Sequence, residues 1–285
     1  MRTIKALHGA IRDDIDDLMT RRPLPGHAIK HLDPFLFLNH HGPQTYPPGN
    51  HGLPFGPHPH RGFETVTFIL DGELAHRDSA GHESIIHPGG VQWMTAGSGL
   101  VHSELSPASF KKAGGPLEIL QLWVNLPARL KMARPRYVGL EKKDIPSFDI
   151  DRGKATIDVI AGKWDGRTGP VETLIDIFLS SVALKAGARI RLPAPKGRSV
   201  FLYVVRGTLQ IAGQDVRPVT LVELNDDGDQ VELAAKSDVI VLFGHAAPFG
   251  EPIVAQGPFV MNTREEISQA VKDYKAGKFD AVLAD

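Results

Sequence analysis

The chain has 285 residues, of which 42% are hydrophobic and 23% charged, a composition typical of a globular protein with enough apolar material for two domains. Its net charge of −1 and the absence of a long apolar stretch give no reason to expect a nucleic-acid partner, a membrane span or a signal peptide, and we expect a cytoplasmic protein. Cysteine is absent, which excludes disulfides and thiolate metal sites and leaves histidine, carboxylates and backbone oxygens as metal ligands.

Glycine (29 residues) and proline (22 residues) are spread along the chain and separate short apolar runs. This pattern predicts many short strands in an all-β sandwich or barrel. Residues 63–78 read as a hairpin, because Asp71-Gly72 is a type I′ turn signal between two strand-like runs. A second hairpin is predicted from 83–87 and 91–95, which flank Pro88-Gly89-Gly90.

Two pairs of potential metal ligands lie on predicted strands. Alternation with a period of two places Val66, Phe68 and Leu70 on one face. If that strand extends backwards, Glu64, His60 and His58 fall on the same face. On a later strand, His102 and Glu104 share a face in the same way.

The first domain is predicted to span 1–135 and to end soon after a buried strand at 121–127. Residues 128–160 are richer in lysine, arginine and proline and are interpreted as the interdomain connection. The second domain is predicted to span 136–285.

The second half resembles the first when Gly207 is superposed on Gly72, an offset of 135 residues. The positions of the first ligand pair and of Glu64 then carry side chains that supply no imidazole: Pro193, Pro195 and Ser199. The repeat therefore predicts a second barrel without an equivalent metal site.

A short helix is predicted near the C-terminus. Thr263 is followed three residues later by Glu266, which is a capping-box signature. Apolar residues then recur at helical spacing, at Ile267, Ala270, Val271 and Tyr274. We expect this helix to cover one end of a barrel.

A His-X-His pair on a strand places two imidazoles about 7 Å apart at Cα, close enough to bind one ion. Together His58, His60, His102 and Glu104 would supply three nitrogens and one carboxylate, which suits Fe, Zn, Ni, Mn, Co or Cu better than Ca or Mg. The alternative is that some of 13 histidines fall two apart by chance. Glu64 could be a ligand, an outer partner that orients a histidine, or a partner for Arg61.

Other candidates near these motifs are assigned structural roles. His76, His82 and His87 flank predicted turns, and Trp93 and Met94 are expected to pack in the core before lining any pocket.

Four segments of the sequence closely resemble the pirin family of the cupin superfamily. They are FGPHPHRGFETVT (55–67), PGGVQWMTAGSGLVHSE (88–104), QLWVNLP (121–127) and GPFVMNTREEI (257–267). The resemblance implies two tandem cupin barrels of the double-stranded β-helix (jelly-roll) type, with a metal in the N-terminal barrel alone. Matched motif to motif, the family's ligands fall on His58, His60, His102 and Glu104. The wider cupin pattern takes its carboxylate from the first motif, where Glu64 stands, but pirins place it after the last histidine.

The resemblance also implies a function. Some pirins resemble quercetin 2,3-dioxygenases, which open the central ring of a flavonol with O₂, and Fe(II) is the first metal expected. Here Glu104, or Glu64 in its place, would act as the general base. The alternative is a metal- or redox-dependent regulatory protein, a transcription cofactor or enzyme-binding regulator that binds a protein partner and catalyses nothing. A third possibility is non-redox metal chemistry such as isomerisation.

Overall fold

The computed structural model describes residues 1–279. Its strands are β1 (Ile4–Gly9), β2 (Ile11–Arg12), β3 (Thr20–Leu24), β4 (Phe35–Tyr46), β5 (Phe55–His60), β6 (Phe63–Asp71), β7 (Leu74–Asp78), β8 (Glu83–Ile86), β9 (Val91–Thr95), β10 (Leu100–Leu105), β11 (Gly115–Asn125), β12 (Arg136–Leu140), β13 (Ser147–Ile150), β14 (Ala155–Ala161), β15 (Lys163–Trp164), β16 (Arg167–Thr168), β17 (Ile177–Leu184), β18 (Arg189–Pro193), β19 (Ser199–Arg206), β20 (Leu209–Ile211), β21 (Gln214–Val216), β22 (Thr220–Leu224), β23 (Gln230–Ala235), β24 (Val239–Ala246), β25 (Val254–Gln256) and β26 (Phe259–Met261). The α-helices are α1 (Ala108–Ala113) and α2 (Arg264–Lys275), and 3₁₀ turns occur at Ala128–Leu130, Lys142–Asp144 and Asp151–Gly153.

The chain forms two compact units, each assembled from separate stretches. The first unit comprises 1–11, 22–35 and 143–248, and the second comprises 12–21, 36–142 and 249–285, of which 280–285 lie outside the described residues. The main boundary therefore falls after residue 142, whereas the sequence predicted a single division at 135/136. Strand pairing explains why residues 1–11 belong to the same unit as 143–248, because β1 pairs with β22 in the sheet of that unit.

Each unit contains one seven-stranded and one four-stranded antiparallel sheet. In the first unit the strand orders are β1-β22-β19-β24-β17-β14-β13 and β18-β23-β20-β21. In the second unit they are β12-β9-β6-β11-β4-β3-β2 and β5-β10-β7-β8. The two units thus repeat one strand order, and the predicted all-β fold of two tandem barrels is confirmed.

The predicted hairpins are wrong in one respect, since their strands do not pair with each other. β6 belongs to the seven-stranded sheet and β7 to the four-stranded sheet, and β8 and β9 are separated in the same way. Gly72 does adopt a positive φ of 85°, as a tight turn requires. The turns therefore carry the chain from one sheet of the barrel to the other, which local turn signals cannot distinguish from a hairpin.

The segment interpreted as an interdomain connection is largely folded into the sheets. β12 is the edge strand of one seven-stranded sheet and β13 is the edge strand of the other. Both have exposed or half-buried residues along most of their length. Edge strands tolerate charged residues and proline, which explains their loop-like composition.

The interior of the first unit is apolar. Alternate residues of β18 and β23 point inwards and are buried: Ile190, Leu192, Val231 and Leu233. They join an extended hydrophobic core, and within the described residues this unit holds no group of three potential metal ligands.

Helix α2 begins with the predicted capping box. Thr263 Oγ1 accepts a hydrogen bond from the Glu266 amide at 3.1 Å, and Glu266 Oε2 accepts one from the Thr263 amide at 2.9 Å. Ile267 and Ala270 are buried against Val101 and neighbouring apolar residues of the second unit. The helix therefore packs with the barrel formed mainly by the N-terminal half, although the sequence assigned it to the C-terminal domain.

Among residues 1–279, no helix combines the length and the hydropathy that crossing a lipid bilayer requires.

The face of β6 that carries Glu64 is not the face that continues from His58 and His60. β5 and β6 lie in different sheets, and Gly62 between them has a φ of 90°. Counting with a period of two across this corner therefore fails. Glu64 is 1% exposed and accepts a hydrogen bond from Thr95 Oγ1 at 2.6 Å. Burial raises the pKa of Glu64 to about 7, although hydrogen bonds from Thr95 and Trp93 oppose the shift.

We predict that Glu64→Gln removes a pH-dependent loss of stability. Between about pH 4.5 and 7 the folded protein keeps a proton on Glu64 that the unfolded chain releases, so the free energy of unfolding decreases as the pH rises through this window. A shift of this size corresponds to about 3 kcal/mol. Urea denaturation at pH 5 to 8 should show that the wild-type protein loses about this much stability relative to Glu64→Gln. The exposed Glu265→Gln is the control, and parallel pH profiles for Glu64→Gln and wild type would contradict the prediction.

Candidate metal centre

Three histidines converge on one point in the interior of the second unit. His58 and His60 lie on β5, and His102 lies directly opposite His58 on the neighbouring strand β10. Their ring centroids are 4.4 Å (His58–His102), 4.8 Å (His58–His60) and 4.9 Å (His60–His102) apart. One ring nitrogen from each lies within 4.8 Å of the others. The predicted convergence of the three imidazoles is therefore present in the structure.

Hydrogen bonds from the backbone orient two of the rings. His58 Nδ1 donates to the Gly56 carbonyl at 2.7 Å, and His60 Nδ1 donates to the Pro258 carbonyl at 3.3 Å. A proton on Nδ1 leaves Nε2 of each ring with a lone pair. For His102, neither ring nitrogen has a hydrogen-bond partner within residues 1–279, although the residue is fully buried.

Burial favours the neutral form of His60 and His102. Burial, with a smaller contribution from His58, lowers the pKa of His60 to about 3. Burial and the neighbouring histidines also lower the pKa of His102 well below its ordinary value. Histidine binds a metal through its neutral ring, so the environment favours the form that coordinates.

Glu104 lies beside this cluster, but its carboxylate oxygens do not lie within 4.8 Å of all three ring nitrogens. Its Oε2 atom is 3.9 Å from His102 Nε2, and the residue is 2% exposed. Oε1 accepts hydrogen bonds from Thr67 Oγ1, at 3.1 Å, and from Gln92 Nε2. Oε2 accepts one from Gln121 Nε2 at 2.7 Å. The carboxylate is therefore held next to the histidine cluster by side chains of the facing sheet.

The histidine cluster has the properties of a site for a divalent transition metal. Three imidazole nitrogens lie within 4.8 Å of one another, and the ring nitrogens of His102 lack any other partner among the described residues. A buried polar atom without a partner is destabilising, and a metal ion would satisfy it. The donor set does not discriminate between Fe, Ni, Cu, Zn, Co and Mn.

Glu64, the other predicted site residue, is not brought to the cluster. Cross-strand neighbours share a face, and Glu64 is paired with Thr95 and Val124. Thr67 lies three residues further along the same strand, so its side chain is on the opposite face, and it points towards Glu104. Glu64 therefore faces away from the histidines, and the structure does not bring it to the cluster.

The sequence placed His76 beside a predicted turn, but its side chain lies next to the histidine cluster. Its ring is 5.5 Å from that of His102 and stacks on Tyr137 at 4.0 Å. His76 Nε2 and His82 Nδ1 both contact the carboxylate of the buried Asp78, at 3.1 and 3.0 Å. The alternation of Leu74, His76 and Asp78 along a strand was the signal that could have placed His76 in the interior.

Comparisons with known proteins agree with this architecture. A family model described as Pirin matches residues 17–124, and one described as Pirin C-terminal cupin domain matches residues 179–280. A Pseudomonas aeruginosa protein named "Putative quercetin 2,3-dioxygenase" is 44% identical over 250 residues, which cover 88% of this chain and 87% of that protein. Human Pirin is 39% identical over 267 residues, which cover 90% of this chain and 87% of Pirin.

A solved structure of quercetin 2,3-dioxygenase from Acinetobacter baumannii superposes with a TM-score of 0.92 at 34% sequence identity and covers 98% of both chains. Matches to both cupin domains, together with this level of identity over nearly the whole length, establish that the chain belongs to the pirin family.

Proposed function

We propose that this protein is a metal-dependent dioxygenase that opens the central ring of a flavonol with O₂, as a quercetin 2,3-dioxygenase does. The observation that carries the proposal is the convergence of three imidazoles, two of them buried, beside a buried carboxylate. In the proposed site, His58, His60 and His102 hold the ion and Glu104 supplies a fourth ligand. When bound, the ion would act as a Lewis acid that polarises the hydroxyl oxygen of the substrate.

Aromatic side chains next to the histidines favour a flat aromatic substrate. The Trp123 ring is 5.4 Å from that of His60, and it packs against Phe63 at 4.4 Å and Phe37 at 4.5 Å. Trp123 Nε1 is buried and has no hydrogen-bond partner within residues 1–279. An indole N–H of this kind can donate to an oxygen of a bound flavonol, while the rings pack against its face.

Glu104 is the residue placed to take up the proton of the substrate. Oε1 already accepts two hydrogen bonds, whereas Oε2 accepts one and faces His102. A carboxylate oxygen has room for about two partners, so Oε2 can bind the ion or receive the proton of the flavonol 3-hydroxyl group. This one free position serves either role but not both at once, so Glu104 acts as general base only while Oε2 is released from the ion.

The comparisons support the same class of reaction. The Acinetobacter baumannii structure is of a quercetin 2,3-dioxygenase, and it matches this chain over 98% of its length. Fold likeness alone is a weak basis for function, so the proposal depends chiefly on the site residues of this chain.

We predict that His102→Ala abolishes stable metal binding. His102 is completely buried and provides one of only three imidazoles in the cluster, so its loss should weaken binding by more than the roughly 100-fold that loss of an outer partner can cause. Equilibrium dialysis of the purified protein against Fe(II), Ni(II) or Co(II), with the bound metal quantified, measures the effect. His58→Ala should behave in the same way.

His87→Ala is the matched control, because His87 lies on the surface and pairs with Glu141. It should retain the metal at wild-type stoichiometry. Unchanged metal content in both His58→Ala and His102→Ala would show that the ligand assignment is wrong.

We further predict that the metal-loaded protein consumes O₂ when quercetin is added. The initial rate of O₂ uptake should fall to that of metal-free protein in His102→Ala and remain at the wild-type rate in His87→Ala. An oxygen electrode and the loss of quercetin absorbance provide independent readouts. If protein loaded in turn with Fe, Ni, Cu, Mn and Co shows no uptake above the metal-free level, the flavonol reaction is refuted.

A further inference from the structure

A row of three polar side chains crosses the interior face of the seven-stranded sheet in the second unit. Thr67 on β6 is the cross-strand neighbour of Gln92 on β9 and of Gln121 on β11, so the three side chains share one face. We call these three residues the polar row. Gln92 and Thr67 are 0% and 1% exposed. Burying amide and hydroxyl groups costs free energy unless they find hydrogen-bond partners.

Every member of the polar row donates a hydrogen bond to Glu104, which lies on the opposite sheet. Thr67 Oγ1 and Gln92 Nε2 donate to Oε1, and Gln121 Nε2 donates to Oε2 at 2.7 Å. Gln92 Nε2 also donates to Thr67 Oγ1 at 3.1 Å, so the row is internally connected. Three donors on one carboxylate fix the positions of its two oxygens.

The pattern of donors determines which carboxylate oxygen of Glu104 can accept a further ligand or hydrogen bond. Oε1 has two donors and is saturated, while Oε2 has one donor and lies 3.9 Å from His102 Nε2. The row therefore turns the oxygen with remaining acceptor capacity towards the histidine cluster.

Tyr137 supports the row from β12. Its hydroxyl donates to Gln92 Oε1 at 3.3 Å and also contacts Ser84 Oγ. Because the Gln92 carbonyl is engaged by Tyr137, its NH₂ group is the end that faces Glu104. The orientation of this buried amide is thus determined by its partners.

The fold itself does not require a polar row. At the offset of 135 residues, Thr67 corresponds to Leu202 in the first unit, and the cross-strand neighbours of Leu202 are Val222 and Phe243. All three are fully buried members of an apolar core. The same strand order therefore accommodates an apolar row in the unit without a histidine cluster, and the polar row occurs where the carboxylate stands beside three imidazoles.

We propose that Thr67, Gln92 and Gln121 are positioning residues that fix the orientation of the Glu104 carboxylate, with Oε2 directed at the ion bound by His58, His60 and His102. The inference rests on the proposed function in taking Glu104 as a ligand, but it does not depend on the identity of the substrate. It predicts that the polar row controls the affinity and the ligand geometry of the bound metal.

The test measures Co(II) binding, because the visible spectrum of Co(II) reports ligand identity and geometry without any turnover. Thr67→Val is nearly isosteric and removes one donor to Oε1, and Gln121→Leu removes the donor to Oε2. Each should weaken Co(II) binding about 10- to 100-fold in a chelator competition and shift the spectrum towards that of Glu104→Gln. Thr67→Ser keeps the hydroxyl and should restore the affinity and spectrum of the wild-type protein.

Thr65→Val is the matched control. Thr65 lies two residues away on the same face of β6, is fully buried, and its hydroxyl has no hydrogen-bond partner within the described residues. It should bind Co(II) like the wild-type protein. If Gln121→Leu fails to fold, as judged by thermal denaturation without metal, the comparison of Thr67→Val with Thr67→Ser still shows whether the hydrogen bond to Glu104 affects Co(II) binding.

Wild-type affinity and spectrum in folded Thr67→Val and Gln121→Leu would overturn the inference, as would an unchanged Co(II) spectrum in Glu104→Gln. Weakened Co(II) binding in these variants supports it even if wild-type protein shows no O₂ uptake with quercetin. O₂ uptake therefore tests the flavonol reaction, and Co(II) binding tests the positioning role of the polar row separately.

Discussion

The convergence of three imidazoles on one point, two of them buried, is the constraint on which the remainder of this site depends. The ring nitrogens of His102 have no hydrogen-bond partner among residues 1–279, which is destabilising in a barrel interior, and burial disfavours protonation of His60 and His102. A cation bound at this point would satisfy all three lone pairs at once. The carboxylate of Glu104 would balance part of its charge, and the polar row donates three hydrogen bonds to that carboxylate. A bound ion would thus complete the partners of the histidine cluster, while the polar row already supplies those of Glu104.

The two units show how far this arrangement is independent of the fold. They share a strand order, yet the interior of the first unit is built from apolar side chains such as Ile190, Leu192 and Phe243. Such residues fill the interior of the first unit with a packed apolar core. In the second unit, histidines, Glu104 and the polar row occupy the interior, and an aromatic cluster around Trp123 adjoins His60. The family and fold therefore explain the scaffold, while the activity must be argued from these particular side chains.

Patterns confined to one strand were readable from the sequence, and patterns that cross a corner were not. His58 and His60 lie on one strand and His102 and Glu104 on another, so alternation predicted both pairs. Extending the count through Gly62 misplaced Glu64, because the chain changes sheets there. Turn signals predicted hairpins where the chain passes between sheets. The polar row and His76 were missed because their meaning depends on pairing between distant strands, which no local spacing reveals.

The central claim is that three imidazoles and one carboxylate of the second unit bind a single metal ion. X-ray absorption spectroscopy of the zinc-loaded protein tests it directly, because imidazole ligands give outer-shell scattering that carboxylates lack. The account predicts a first shell of nitrogen and oxygen near 2.0–2.2 Å with the scattering of about three imidazoles. In Glu104→Gln the imidazole contribution should persist while the oxygen contribution changes. A shell with one imidazole or none, or retention of all imidazole scattering in His102→Ala, would contradict the account.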